Sequence, residues 1–376
     1  MKRDYSFTKT VWALITSAAM LTGAEAQTVL SGDHVVEGNL GVGTSVQKGG
    51  LTITGETGGA ASPGIRVTGD GGVVFEGTGG TGAIPAEGQG TRLMWYPGKA
   101  AFRVGEFWDL GIMNSEIGHG SVAFSRSVAK ESFSVAMSLG WAEGQYSTAM
   151  SYGVADGDHS TAMSDGWATG VASTAMSYGR ATGIYSTAMS FADADGNSST
   201  AMSRGSAYAN YSTAMSGGWA HGNYSVAMSE GTALGDHSVA MNDGWADGAY
   251  SVGLRAAAVG DYSAAIKGGT ALGFSSFAVG MDATTYGSES IAIGFVVVSR
   301  AYQCVTVGSY NAYSLSETTD SWVPTDPIFV VGNGEDSNSR SNAFLIRKNG
   351  DIEMMAKVSM PRQGDILMGE FGDPEP

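Results

Sequence analysis

The chain of 376 residues contains one cysteine, Cys304. That excludes an intramolecular disulfide and a cysteine-built metal centre. Cys304 falls where other copies of an internal repeat carry Ser, so it reads as a small buried residue. Charge is also scarce: 15% of residues are charged, with 20 Lys and Arg against 36 Asp and Glu, a formal net charge of −16. An acidic chain without Lys or Arg clusters repels phosphate backbones and anionic lipid, which argues against nucleic acid and membrane surfaces as partners. Beyond residue 26 no run of 18 consecutive apolar residues exists, so no membrane span is expected after signal cleavage.

Chemistry-bearing motifs are missing as well. The five histidines, His34, His119, His159, His221 and His237, form no His-x-x-x-His pair, and no Cys-x-x-Cys or phosphate-loop pattern occurs. His159 and His237 share a repeat position but stand six repeats apart, about 29 Å along a stack of strands. Asp156-Gly-Asp158 and Asp193-Ala-Asp195 offer paired acids, yet their spacing fits no calcium-binding nonapeptide, and they read as solvated turn acids. No acid–base set converges. The expectation is no enzyme, no cofactor and no metal.

What the chain has is glycine, 57 residues of it, with 43% hydrophobic residues. No strict three-residue period is present, so collagen is excluded, and the apolar content excludes a disordered chain. The N-terminus reads as a secretory signal. Lys2, Arg3 and Lys9 precede the apolar stretch Val11 to Leu21, and Ala24-Glu25-Ala26 is a small-x-small cleavage site. The mature chain is expected to start at Gln27, exported to the cell surface or medium.

An internal repeat dominates the middle. Ser-Thr/Val-Ala-Met-Ser begins at Ser134, Ser147, Ser160, Ser173, Ser186, Ser199, Ser212 and Ser225, and Ser238 continues it with Asn242 in the last place. A looser copy starts at Ser121 and another at Ser251; between them the step is always 13. Ser263, Ser276, Ser290 and Cys304 follow at steps of 12, 13, 14 and 14. In Ser212 to Tyr224 two strand-like pieces, Ser-Thr-Ala-Met-Ser and Trp-Ala-x, are separated by Gly217, Gly218 and Gly222, residues suited to positive φ. Two short strands and two turns use up one repeat, so each repeat is one coil of a flat, two-sided roll.

Strand alternation divides the side chains into two sets. Thr148 and Met150 share one face; Ser147, Ala149 and Ser151 share the other. The column Met137, Met150, Met163, Met176, Met189, Met202, Met215, Met228 and Met241 is read as an interior core ladder, with the Ser-Ala-Ser face as a smooth contact between subunits. Two aromatic columns stand out as candidate partner-binding residues: Trp141, Trp167, Trp219 and Trp245, and Tyr146, Tyr185, Tyr211, Tyr224 and Tyr250. Rows of rings suit stacking on sugars or gripping a partner, and equally suit packing between coils or subunits.

Ser276-Phe-Ala-Val-Gly280, Ala283, Gly287 and Ser290-Ile-Ala-Ile-Gly294 resemble the 14-residue head repeat of YadA-type trimeric adhesins, and the 13-residue units resemble a variant of it. Phe329-Val-Val-Gly-Asn-Gly334, Arg340-Ser-Asn-Ala-Phe344 and Lys348-Asn-Gly350 resemble the module that closes such rolls. The resemblance implies a homotrimer of left-handed rolls, presented outside the cell for adhesion. No heptad run or barrel strands follow Lys348, so the family's own membrane anchor is not expected.

The expected architecture is all-β: a left-handed parallel β-roll solenoid of 13–14-residue coils, trimeric, with β-rich capping regions. Its parts are a signal peptide (1–26), a Gly-rich β region (27–118), the β-roll repeats (119–311), a closing module (312–353) and a tail (354–376). Leu51 to Thr54 and Val73 to Phe75 are predicted strands, and the aromatics of Met94 to Pro97 and Phe102 to Trp108 are expected to cap the first coil. The expected function is multivalent adhesion to an extracellular protein or glycan. Alternatives are a structural filament or sheath subunit, an ice-binding protein using the Thr148, Thr161, Thr174, Thr187, Thr200 and Thr213 column, and a phage-type tail fibre. The interior placement of that Thr column counts against ice binding.

Overall fold

The structure, a computed structural model, describes residues 73–75 and 77–354. The expected signal peptide, the Leu51–Thr54 strand and the tail beyond Met354 lie outside the described residues, as does the Trp108 side chain.

One coil, from Ser147, accounts for the rest. Thr148–Met150 forms a strand. Ser151 and Tyr152 then turn the chain with φ of 50° and 62°, and Gly153 N–H closes the turn on Met150 O at 3.0 Å. Two consecutive positive φ values are the signature of a type I′ turn, which reverses the chain in two residues. Val154–Ala155 runs back as the second strand. A second turn, Gly157 to Ser160, has His159 at φ 59° and closes through Ser160 N–H on Gly157 O at 3.1 Å. The next coil stacks in parallel, in register: Thr148 on Thr161, Ala149 on Ala162, Met150 on Met163.

Repetition of this unit builds two parallel sheets, here called the Met sheet and the Trp sheet. The Trp sheet has 14 two-residue strands, one per coil, from Val128–Ala129 to Val298–Ser299. At about 4.8 Å per coil the roll is roughly 65 Å long. The parallel β-solenoid of 13-residue coils is the architecture anticipated.

The inside and outside of the roll are the reverse of expectation. Ser147 and Ala149 are fully buried, as are their equivalents in almost every coil, and so is the second-strand Ala155. The nine Met residues named as a core ladder, Met137 to Met241, lie on the outer face, half-buried, beside the outward Thr or Val of each strand. Ser151, placed on the Ser-Ala-Ser face, sits instead in the exposed turn. The reason is cross-section. The tight turns hold the two sheets so close that a Cβ on Gly153 would stand 2.4 Å from Ala162 O. In the 13-residue coils only methyl and hydroxymethyl groups fit between them, while the 14-residue coils admit Thr285, Val297, Cys304 and Thr306. Several buried hydroxyls return a hydrogen bond to the second turn, as Ser147 Oγ does to Gly144 O at 2.7 Å.

The glycines also serve a different purpose from the one predicted. The positive-φ positions are mostly Ser, Tyr, His or Asp, and of the glycines in the Ser212 to Tyr224 coil only Gly217, at φ 76°, has this conformation. Gly218 and Gly222 are there for space: a Cβ on either would lie within 2.3 Å of a carbonyl oxygen in the next coil.

Both ends of the roll are covered. Strand β1 (Gly88–Tyr96) pairs antiparallel with β2 (Ala101–Ile112), and β2 pairs in parallel with β3 (Val122–Phe124), the first strand of the Met sheet. Met94, Tyr96, Ala101, Phe107 and Ile117 form a small core there. Arg103 enters the end of the roll and donates to Phe102 O, Ser121 O, Ser121 Oγ and Ala129 O at 2.7–3.0 Å. Its burial pulls the guanidinium down to about 10. Val73 to Phe75, predicted as a strand, is irregular and exposed. At the far end Pro327–Asn333 pairs in parallel with the strand Val305–Ser309, then antiparallel with Asn342–Arg347, which pairs with Ile352–Met354.

Candidate functional site

The two outer faces and the two turn edges of the roll are chemically different. The Met sheet presents Thr or Val beside Met in coil after coil. The Trp sheet presents a changing set at one position: Trp141, Val154, Trp167, Arg180, Asp193, Ser206, Trp219, Thr232, Trp245. The four Trp residues are between 45% and 56% exposed, and no two of their rings touch.

The Tyr column lies at the second turn and behaves differently. Tyr211, Tyr224, His237, Tyr250 and Tyr262 form one unbroken stack, with centroids 4.6–5.0 Å apart and planes within 4° of parallel. Phe133, Tyr146 and His159 form a second stack at 5.1 and 4.9 Å. The coil spacing itself imposes this separation, and the shared positive φ points every ring the same way. These rings spend their faces on one another, so their role is packing between coils. Tyr185 stands between Ala172 and Ser198 in that column and is the most exposed of the five Tyr candidates at 67%. Tyr178 and Phe191 stack on the opposite turn edge at 4.8 Å.

The paired acids are engaged by the fold. Arg180 reaches Asp193 at 3.0 Å and Asp195 at 3.1 Å, and Asp195 also accepts from Thr182 Oγ1 at 2.6 Å. Asp158 accepts Gln145 N–H at 2.8 Å, and Asn197, Asn210, Asp236 and Asp261 repeat this cap on the preceding coil. Burial pushes the Asp156 carboxyl up. Among the described residues no three His, Cys, Asp or Glu side chains converge as a metal site. Cys304 is buried beside Thr306, and burial pushes its thiol up to about 11.

A cleft of about 580 Å³ opens on the Trp sheet. Trp219 and Trp245 flank Thr232, with Glu230, His221 and Leu234 around them. The two Trp are the candidates this site unites; His221 figured in the sequence only among the five histidines, and Glu230, Thr232 and Leu234 drew no notice there. The usable signal was the repeat position, since Trp141–Val154–Trp167 has the same Trp–β-branched–Trp order six coils earlier. No protein-family model matches this chain, and no curated protein matches it.

Proposed function

We propose that the chain is an adhesin-like surface fibre, built as a homotrimer of left-handed rolls and binding partners multivalently from its Trp sheets. The observation behind this reading is the contrast between the outer faces. The Met face is a continuous half-buried apolar stripe without a partner among the described residues, a surface that soluble proteins cover. The Trp face carries rings, carboxylates and a guanidinium. Packing Met faces together buries the stripe and leaves three ligand-binding sheets outward, where repeated weak contacts add by avidity. On this reading the subunit contact moves to the Met face from the Ser-Ala-Ser set, whose first Ser and Ala are interior.

Protein starting at Gln27 is expected to scatter light as a species of three times the monomer mass. M189E/M202E is expected to scatter as a monomer with unchanged far-ultraviolet circular dichroism. The trimer should adhere to immobilised matrix protein or glycan more strongly than that monomer. A wild-type monomer that adheres to neither overturns the reading, and ligand-free filaments in electron micrographs replace it with a structural subunit.

One observation favours a second reading. Thr148 to Thr213 is an outward column of six Thr in consecutive coils, spaced at about 4.8 Å. The argument against ice binding, that these Thr are interior, no longer holds. Protruding Met neighbours and the change to Val226 and Val239 limit the flat area. Thermal hysteresis in a freezing-point assay would establish ice binding in place of adhesion.

A further inference from the structure

We propose that the cleft between Trp219 and Trp245 binds a quaternary ammonium group of the choline type. The inference names a ligand for the outward sheet, and so rests on the adhesin reading for its biological use.

The fold does not require tryptophan here. The equivalent position is Val128, Arg180, Asp193, Ser206 or Ala257 in other coils, with strand pairing unchanged. Trp219 and Trp245 are nonetheless about half exposed, and they line one cleft with Thr232 between them. Two coils separate them, about 9.6 Å of backbone. Rings held at that spacing place a cation midway within the roughly 6 Å over which an aromatic face attracts positive charge. A sugar ring stacked on one indole at van der Waals distance leaves the other wall out of reach.

The remaining lining selects the kind of cation. Glu230 supplies the countercharge and forms no ion pair among the described residues. Gly217 opens that side; a Cβ there would stand 3.3 Å from Glu230 Cγ. Arg204 lines a neighbouring cleft that Gly217 and Glu230 also line, and no ion pair joins it to Glu230 among the described residues. Besides Glu230, the polar groups of the lining are the Thr232 hydroxyl and the His221 ring; Leu234 and the two indoles supply no acceptor. A lysine ammonium brings three N–H donors that need partners, whereas a quaternary ammonium brings none. The chain already holds cations between rings elsewhere: Lys348 Nζ lies 5.1 Å from the Trp322 ring and 5.5 Å from Tyr302, and the Arg340 guanidinium lies 5.4 Å from Tyr313 and 5.9 Å from Tyr310.

The test uses the mature chain with W141A/W167A, which leaves Trp219 and Trp245 beside Trp95, Trp108 and Trp322, and reads the fluorescence change that W219A/W245A removes. Choline chloride is expected to change tryptophan fluorescence saturably, with potassium chloride at equal ionic strength giving no saturable change. Adding W219A or W245A should weaken choline binding roughly tenfold, and E230Q should weaken it several-fold, with circular dichroism unchanged throughout. A lysine amide that binds as well as choline, methyl glycosides that bind better, or unchanged affinity in W219A each overturns the proposal. Choline binding by a chain that adheres to nothing defeats only the adhesin reading; adhesion without any choline response defeats only this one.

Discussion

Gly253 stands where the equivalent coils carry a buried Ala. The coil from Ser251 to Tyr262 has 12 residues, and the missing one comes from the first turn, where Leu254-Arg255-Ala256 replaces Met241-Asn242-Asp243-Gly244. The shorter turn draws the sheets together, and a Cβ on residue 253 would stand 2.5 Å from Trp245 O. Every other coil of the 13-residue run has Ala here. We expect G253A to lower stability by about 2 kcal/mol through overpacking, read as a fall in thermal midpoint; an unchanged midpoint would show that the coil has room. Cys304 gives a second test. Its thiol is held above the usual range, at about 11 against 9.0. The folded chain therefore keeps a proton that the unfolded chain releases, so this group costs nothing below pH 9 and destabilises progressively as pH rises from 9 towards 11. Native protein at pH 8 should resist iodoacetamide, whereas unfolded protein should react readily.

At the scale of elements, the repeat spacing made the strands, the turns and the two-sided coil legible, because 13 residues leave no room for a third side. Which face turns inward was not legible from alternation, which sorts side chains into two sets without naming the buried one. The deciding signal was variation of size among copies. Ala149 and Ala155 have Ala in nearly every equivalent position, while the positions of Thr148 and Met150 admit Val, Phe, Leu and Ile. An interior of fixed width cannot vary in this way; an outer face can. Arg103 was equally invisible, because three of its four acceptors are backbone carbonyls and the fourth is the hydroxyl of Ser121, which leaves no motif. Each coil touches only its neighbours, so damage at the cap should stay local. We expect R103A to raise amide hydrogen exchange in residues 121–142 while the coils from Ser199 to Tyr250 stay protected. Uniform loss of protection along the roll would contradict this.

For the whole molecule, the reversal of inside and outside changes where its apolar surface lies. A Met ladder within the coil would have made each chain self-sufficient; on the outer face, the ladder is a surface that a second copy can cover. The Trp sheet, free of that duty, varies from coil to coil, and its two Trp pairs stand six coils apart, about 29 Å along the rod. A ligand array spaced on that interval can engage both pairs of one chain.

The alanine and serine interior has a thermodynamic consequence. Alanine has no side-chain rotamers to freeze and serine has few, so ordering this core costs little side-chain entropy. It also removes little apolar surface per residue from water, and that surface sets the heat capacity of unfolding. The roll's stability should therefore vary less with temperature than the about 12–15 cal/mol/K per residue of ordinary globular domains implies. A broad, low stability curve is expected, with the rod losing hold slowly on both cooling and warming.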